Sequence, residues 1–262
     1  MSAVACGGDT VATEKVKKIA INLTDEDYAF AVAKGNDQLL ADINKAYDEL
    51  KADGTIDKIM DAYFGGSEVK PVPTAKKDAS KKDKQLVVAT ETGFAPFEYM
   101  DGENLYGIDM QIMAEIAKKL NKELVVEDML FSAVVSSVSS GLADVAAAAL
   151  TVTPERQESV AFSKAYYQAS QVVVVASDNK AFDNCKTQEE VLAVIEGLPK
   201  GTKAAFQSGT TGNDFVKGYA NLTPQPYDKV GLAATSLING DIDLIVVDKA
   251  PAEAIVKSVN KK

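Results

Sequence analysis

The chain of 262 residues is long enough for two lobes with buried cores, and its composition already excludes several functions. Hydrophobic residues make up 46% of the sequence and charged residues 25%, as in ordinary folded proteins. The 38 acidic residues exceed the 28 basic ones, and the net charge of −10 argues against nucleic acid or an anionic membrane surface as the main partner. No histidine is present, which excludes Ser-His-Asp and Cys-His catalysis and histidine-ligated metal sites.

Two cysteines, Cys6 and Cys185, are too few for a four-cysteine zinc site, and no CxxC motif occurs. We therefore predict no metal and no cofactor. The small residues around Cys6 resemble the end of a bacterial lipoprotein signal, which makes Cys6 a candidate lipid anchor; the alternative is an ordinary N-terminus with an unmodified cysteine. The state of Cys185 stays open. No run of about 18 apolar residues is available to span a membrane.

The first elements in chain order are two extended runs, at residues 18–23 and 28–33, followed by two amphipathic helices at 37–51 and 55–64. This front piece is too small to bury its apolar faces alone, so we expect it to pack on the rest of the protein. Residues 67–84, which we call the linker, contain two prolines and many lysines and are predicted to lack regular structure.

Beyond the linker, strands and helices alternate. This order predicts an α/β protein with mostly parallel sheets, whose ligands bind at the carboxyl ends of the strands. The predicted strands are residues 86–89, 124–127, 144–148, 171–176, 203–206 and 243–247, and the predicted helices are 109–120, 132–140, 189–196, 211–219, 231–239 and 251–259.

Short motifs come directly after four of these strands. Phe94 and Phe97 come after the first of them, beside Glu91, and form either a pocket wall with a polar end or a pair of core residues. Arg156 is notable because the basic residues are overwhelmingly lysine, and a guanidinium can bind a carboxylate through two parallel hydrogen bonds. Its surroundings also suit a helix start capped by Thr153, and both interpretations can hold.

The other two motifs are the loop at residues 207–214 and Asp248. The loop is rich in small residues and begins a helix, which favours an anion, either phosphate or carboxylate. It lacks the spacing and the lysine of a P-loop. Asp248, at the end of an apolar strand, could bind an ammonium group or cap a helix. An anion site at Arg156 and Thr211, a cation site at Asp248 and an apolar wall together suit a free amino acid.

Five segments in this order resemble the amino-acid-binding proteins of bacterial ABC importers, a family that includes glutamine-binding and lysine/arginine/ornithine-binding proteins. The segments are LVVATETGFAPFEY, YGIDMQIMAEIAKKL, ALTVTPERQESVAFS, QSGTTGNDF and VVDKAPAEA. The resemblance covers residues 85–262 almost throughout. It implies a two-lobed, periplasmic-binding-protein-like (type II) α/β fold, each lobe a mostly parallel sheet flanked by helices.

One segment of this chain stands in a different place from the family order. Residues 23–65 resemble the family's C-terminal segment but precede everything else here, so the chain resembles a circular permutation of natural or engineered origin. The linker would then join the family's usual ends. The resemblance implies a first lobe of residues 30–66 plus 85–170 and a second lobe of residues 10–29 plus 171–262, with crossings at 29–32 and 168–172.

The resemblance also assigns roles to individual residues. Arg156, with Thr151 and Thr211, would bind the ligand α-carboxylate, and Asp248, with the Ala149 carbonyl and the Thr151 hydroxyl, would bind the α-ammonium. Phe94 and Phe131 would enclose the stem of the ligand side chain. Glu91 and Gln207 would contact its tip, although the family often has Asp at the Glu91 position. A carboxylate there favours lysine, arginine or glutamine over acidic ligands.

The function implied is a non-catalytic, extracytoplasmic receptor, expected to act as a monomer, whose lobes close on an amino acid and deliver it to the membrane subunits of an ABC importer. Two alternatives stay open. One is an enzyme on the same scaffold, resembling the cyclohexadienyl dehydratases, with Glu91 as general acid. The other is a sensor module of a larger receptor.

Overall fold

The structure is a computed structural model, and it describes residues 14–261. Cys6, the candidate lipid-anchor position, lies outside these residues. The described part is built from helices, strands and one 3-10 turn at Ala79–Lys84. The strands, in chain order, are β1 (Val16–Lys18), β2 (Glu26–Ala33), β3 (Gln85–Thr90), β4 (Gly93–Phe94), β5 (Glu98–Asp101), β6 (Asn104–Tyr106), β7 (Glu123–Asp128), β8 (Val145–Ala146), β9 (Val160–Ala169), β10 (Gln171–Ala176), β11 (Thr202–Gln207), β12 (Leu222–Tyr227) and β13 (Leu244–Asp248).

The helices flank the sheets and begin near the ends of strands. Several begin immediately after loops that carry predicted site residues, because a strand that ends at the sheet edge must turn back over the sheet as a helix. In chain order they are α1 (Asp37–Ala52), α2 (Thr55–Gly65), α3 (Ile108–Lys119), α4 (Phe131–Ser139), α5 (Pro154–Ser159), α6 (Gln188–Gly197), α7 (Thr211–Lys217), α8 (Val230–Ile238) and α9 (Lys249–Asn260).

Two five-stranded sheets define two lobes. We call lobe 1 the part built on the sheet β7-β3-β8-β2-β9 and lobe 2 the part built on the sheet β1-β10-β13-β11-β12. A small antiparallel sheet, β4-β5-β6, belongs to lobe 1 through its contacts with α3. The two-lobed α/β architecture is as predicted.

Each large sheet is mixed, whereas mostly parallel sheets were predicted. In lobe 1, β3 pairs in parallel with β7 and β8, and β2 pairs antiparallel with β8 and β9. In lobe 2, β11 pairs in parallel with β12 and β13, and β10 pairs antiparallel with β1 and β13. The antiparallel pairs involve strands that enter or leave the hinge, which continue from one lobe into the other without a crossover helix.

The chain passes between the sheets twice, between β1 and β2 and between β9 and β10. The two passages run side by side: the Leu23 N–H donates to the Gln171 carbonyl (2.9 Å), and Glu26 pairs with Ala169. The strand β2 belongs to the sheet of lobe 1 and already begins at Glu26. If the lobes are divided by their sheets, the first crossing between them lies near Glu26 and not at the predicted 29–32. The division into residues 30–66 plus 85–170 and residues 10–29 plus 171–262 stays a prediction.

The front piece packs on the rest of the protein, as its size required: residues 18–23 hydrogen-bond to β10 of lobe 2, and the two helices pack on lobe 1. Helix α1 contacts α3 and β9, and α2 contacts α3. Their apolar residues are buried where the 3.6-residue period placed them, at Ile43, Leu50, Ile56 and Ile59. The linker also lies on lobe 1: Val72 is buried, its N–H donates to the Leu105 carbonyl (2.7 Å), and the Ala75 N–H donates to the Leu124 carbonyl (2.8 Å).

Gly107 precedes α3 in a conformation that only glycine adopts easily. Its φ is +134°, and a Cβ there would lie 1.9 Å from the Phe97 carbonyl oxygen. We expect Gly107→Ala to lower the free energy of unfolding by ~2–3 kcal/mol through backbone strain and overpacking. Urea denaturation measures this. Gly102→Ala is the matched control: its φ is +60° but its Cβ would meet open space, so a smaller loss is expected. Equal losses for the two variants would contradict the overpacking argument.

Within residues 14–261, no helix is both long and apolar enough to cross a membrane. The longest, α1, carries polar and charged residues along its exposed face.

Candidate functional site

Eight of the nine predicted site residues line one small cavity between the lobes. The cavity has a volume of about 10 Å³, close to that of a single water molecule, so an amino acid enters only if the lobes or the lining side chains move. Glu91, the ninth, lies behind Gln207 and accepts a hydrogen bond from it. The lining residues are Phe94, Phe131, Ala149, Thr151, Arg156, Gln207, Thr210, Thr211 and Asp248, of which only Thr210 was not predicted.

Arg156, the only arginine in the sequence, spans the two lobes at one end of this cavity. Its Nη1 donates to the Thr151 carbonyl in lobe 1 (2.7 Å), and its Nη2 donates to the Gly209 carbonyl in lobe 2 (3.0 Å). Its guanidinium carbon lies 5.4 Å from the centre of the Phe131 ring. A guanidinium has five N–H donors in one plane, so it can hold two carbonyls and keep three donors for a carboxylate, whereas a lysine ammonium would keep one.

The start of α5 fixes Arg156. The Thr153 side chain caps this helix by accepting a hydrogen bond from the Arg156 N–H (3.2 Å), and Pro154 occupies its first position. The sequence indicated a helix cap and an anion-binding arginine at this motif. The structure contains the cap, and anion binding by Arg156 stays a prediction.

Asp248 is the one acidic residue among the described residues that line the cavity. Asp248, at the end of β13, is only 6% exposed, and its Oδ1 has no hydrogen-bond partner within residues 14–261. Burial, followed by the nearby carboxylate of Glu26, raises the pKa of Asp248 to about 7. A buried carboxyl with an unused oxygen suits a cationic ligand group, because a bound ammonium would supply both the missing donor and the missing charge.

Ala149 completes this region in an unusual backbone conformation, with φ at +46°. Asp109, which is fully buried in α3, holds it there: Asp109 Oδ2 accepts hydrogen bonds from the Ala149 N–H (2.9 Å) and from the Tyr166 hydroxyl (2.7 Å). Since its N–H is used this way, Ala149 is left with its carbonyl as the group available to a ligand. Strain of this kind persists only where surrounding contacts enforce it.

Glu91, Gln207 and Lys229 form a polar cluster that reaches the cavity only through Gln207. The resemblance assigned Glu91 and Gln207 to the tip of the ligand. Gln207 Nε2 donates to Glu91 Oε2 (2.9 Å) across the lobes and also to the Asp228 carbonyl (3.0 Å). Lys229 Nζ lies 3.2 Å from Glu91 Oε1. Sequence reasoning identified Glu91 and Gln207 but missed Lys229, because a lysine at the start of a helix in a lysine-rich chain carries no local signal.

Glu26 is the second residue that sequence reasoning missed. It begins β2 at the hinge, and its Oε2 accepts hydrogen bonds from the Thr151 hydroxyl of lobe 1 and the Thr211 hydroxyl of lobe 2, each at 2.8 Å. Thr211 Oγ1 in turn accepts from Gln171 Nε2 (3.0 Å). Because Thr151 donates its hydrogen to Glu26, its oxygen lone pairs are free to accept from a ligand ammonium. One carboxylate oxygen therefore joins both lobes.

We expect Glu26→Ala to weaken amino-acid binding ~10- to 100-fold, since two hydrogen bonds to a charged group, each worth ~1.5 kcal/mol or more, hold the lobes together. Isothermal titration calorimetry measures the affinity. Asp27→Ala is the matched control, because Asp27 is the exposed neighbour on the same strand. Tighter binding by Glu26→Ala would instead mean that Glu26 competes with the ligand carboxylate for the two hydroxyls.

A wider cavity of about 280 Å³ lies next to the small one and opens to solvent. Arg156 and Phe131 line both cavities, and the wider one continues along α5 and α7. The two cavities therefore meet at Arg156 and Phe131.

The model of the family described as bacterial extracellular solute-binding proteins, family 3, matches residues 4–66 and 86–260. The chain belongs to this family. Among curated members, it is 35% identical over 175 residues to the arginine-binding extracellular protein ArtP of Bacillus subtilis, covering 67% of this chain and 65% of that protein. It is 29% identical over 171 residues to a probable histidine-binding protein of Campylobacter jejuni, covering 65% of this chain and 62% of that protein.

Solved structures of the family are similar as well. The arginine-bound form of truncated ArgBP from T. maritima is 34% identical with a TM-score of 0.60, over 70% of this chain and 82% of that one. The ancestral amino acid-binding protein AncCDT-1, described as a precursor of cyclohexadienyl dehydratase, is 26% identical with a TM-score of 0.61, over 68% of this chain and 75% of that one. The matched part spans less than two thirds of the length of the two curated relatives.

Proposed function

We propose that this family member is a receptor that binds a polar or basic L-amino acid between its lobes. The observation that carries the proposal is the single cavity that brings together Arg156, Asp248 and the two aromatic rings of Phe94 and Phe131. Such a site has one group for a carboxylate, one for an ammonium and an apolar wall for the stem between them. The Glu91 carboxylate, which lies behind Gln207, favours a cationic or amide tip and repels an acidic one.

Delivery of the amino acid to the membrane subunits of an ABC importer, outside the cytoplasm, is part of the same proposal. Its support is the family's extracellular character and the arginine-binding role in the name of the relative ArtP. Closure is expected from the contacts: Arg156, Glu26 and Gln207 each bond across the cleft, so a ligand that adds further bridging contacts favours the closed form. We propose action as a monomer, with Cys6 as the candidate lipid anchor.

Calorimetric titration with the common amino acids tests the proposal. We expect binding of at least one of lysine, arginine, glutamine or histidine, and no binding of glutamate or aspartate. Absence of binding by every amino acid at millimolar concentration would overturn the function. Binding of an acidic amino acid would overturn the assignment of Glu91 to the tip.

A second candidate is an enzyme on the same scaffold, and the observation that favours it is the similarity to AncCDT-1. Glu91 would then act as general acid towards a bound cyclohexadienyl acid. We propose the receptor in preference, because Arg156 and Asp248 together provide the groups that a free amino acid needs for its carboxylate and its ammonium. Incubation with prephenate and arogenate, followed by detection of phenylpyruvate or phenylalanine, decides between them.

We also propose that the chain is a circular permutation of the family order. The family model matches two separate segments, and the residues near the two ends of the described chain lie together: the Lys15 N–H and the Val16 N–H both donate to Asn260 Oδ1 (2.8 and 3.2 Å). A chain reordered as residues 67–261 followed by 14–66 should fold and bind with unchanged affinity. Failure of this chain to fold would contradict the proposal.

A further inference from the structure

We propose that Lys229 serves as the resident counterion of Glu91 and thereby sets how the site discriminates between cationic and neutral ligand side chains. This inference rests on the proposed function and adds a residue that the motifs of the sequence do not identify. It concerns the contact between lobe 1, which supplies Glu91, and lobe 2, which supplies Lys229.

The two partners differ sharply in their exposure. The Glu91 side chain is 1% exposed, whereas the Lys229 side chain is 45% exposed. Lys229 immediately precedes α8, a helix that contacts β4 of lobe 1, so its ammonium reaches Glu91 from the opposite side of the cleft. The pair therefore joins a half-exposed cation to a buried anion.

The contact is also incomplete. Lys229 Nζ lies 3.2 Å from Glu91 Oε1, yet this oxygen has no hydrogen-bond partner of suitable geometry within residues 14–261. The other oxygen, Oε2, accepts from Gln207. A ligand guanidinium or ammonium that approaches Oε1 along its lone pair would thus make a better contact than Lys229 does.

Desolvation determines which ligands can exploit this geometry. A carboxylate as buried as Glu91 is strongly destabilised without a cation beside it, whereas a half-exposed lysine returns to water at little cost. A cationic ligand can therefore displace Lys229 and take its place. A ligand with a neutral amide tip leaves Glu91 unpaired unless Lys229 stays, so it binds with the lysine retained. Lys229 therefore competes with cationic ligands and assists the binding of ligands with a neutral amide tip.

The test compares Lys229→Met with the unmodified protein by calorimetry, with L-arginine and L-glutamine as probes. Methionine keeps much of the length of lysine and removes the charge. We expect arginine to bind ~10-fold more tightly and glutamine ~10-fold more weakly, so that the preference for arginine rises ~100-fold. Lys217→Met is the matched control and should leave the ratio unchanged, because Lys217 is an exposed lysine of lobe 2 on a different helix.

The same substitution in a Glu91→Gln protein shows whether Lys229→Met acts through Glu91 or through an unrelated change in the site. In a Glu91→Gln protein no buried charge needs a counterion, so Lys229→Met should no longer alter the ratio. An unchanged ratio in the presence of Glu91, or an equal change in both backgrounds, overturns the role of Lys229 while leaving the receptor function intact. Failure of the unmodified protein to bind any amino acid overturns the receptor function itself.

Discussion

Replacing Arg156 with alanine is expected to weaken amino-acid binding by ~2–5 kcal/mol, the usual cost of truncating one partner of a buried charge pair. Arg156 is the only guanidinium in the chain, and within the cavity lining it is the only cationic side chain. Its loss removes the partner of the ligand carboxylate and also the bridge from Thr151 to Gly209 that joins the lobes. Calorimetry measures the affinity, and thermal melting shows that the variant is folded.

A matched ligand isolates the carboxylate contribution. A decarboxylated analogue, such as agmatine in place of arginine, should bind the unmodified protein weakly and lose little more affinity on Arg156→Ala. Arg156→Lys should give intermediate affinity, since it keeps the charge but cannot bind the ligand carboxylate through two parallel hydrogen bonds. If Arg156→Ala binds amino acids as tightly as the unmodified protein does, the carboxylate lies elsewhere.

The second large effect is a pH dependence of amino-acid affinity, which we expect to arise from Asp248. Burial, followed by the Glu26 carboxylate, raises the pKa of Asp248 to about 7, and only the ionised form can pair with an ammonium. Affinity should therefore fall about tenfold per pH unit below pH 7 and level off above it. Asp248→Asn should bind ~2–5 kcal/mol more weakly at pH 8 and lose this pH dependence.

The Asp248 carboxyl makes the ligand-free protein less stable at higher pH, whereas it makes ligand binding tighter. Its pKa is raised in the folded protein above the usual value of about 3.9 for an unfolded aspartate, so the folded state binds more protons between about pH 4 and 7. The free energy of unfolding without ligand should fall as the pH rises through this range. Asp109, whose burial raises its pKa to about 7, contributes the same slope and is present in both proteins.

Urea denaturation of the unmodified protein and Asp248→Asn, across this pH range, separates the two residues. The difference between the two slopes belongs to Asp248. Parallel slopes, together with a binding profile that does not change below pH 7, would show that Asp248 is already ionised and already paired in the protein.

Much of the site could be predicted because it depends on chain-local geometry. Arg156 follows β8 of lobe 1 and Asp248 ends β13 of lobe 2, so each lies at the carboxyl end of a strand, where ligand sites are expected in α/β sheets. The family resemblance placed both residues in one cleft between the lobes. Glu26 and Lys229 could not be found in this way. Each acts through a contact across the cleft, with partners at positions such as Thr211 and Glu91 that are far away in sequence.

The strands β9 and β12 were not predicted, and each lacks the usual sequence pattern of a strand. β12 contains Pro224 and Pro226, which normally argue against a strand. It lies at the sheet edge, and because residues two apart point their N–H groups the same way, both prolines leave the pairing with β11 intact. β9 lies at the edge of the lobe 1 sheet and is largely half-buried or exposed along its length, so it lacks the apolar run that marks the central strands.

The location of the linker determines which pair of fluorophores can measure closure of the lobes. The linker is hydrogen-bonded to lobe 1 through Val72 and Ala75, whereas Lys15 and Asn260 are hydrogen-bonded to each other on lobe 2. Two fluorophores placed at residues 15 and 260 would keep one separation throughout a cycle of capture and release. A fluorophore on the exposed Lys82 paired with one at residue 260 would change its energy transfer with every closing of the lobes.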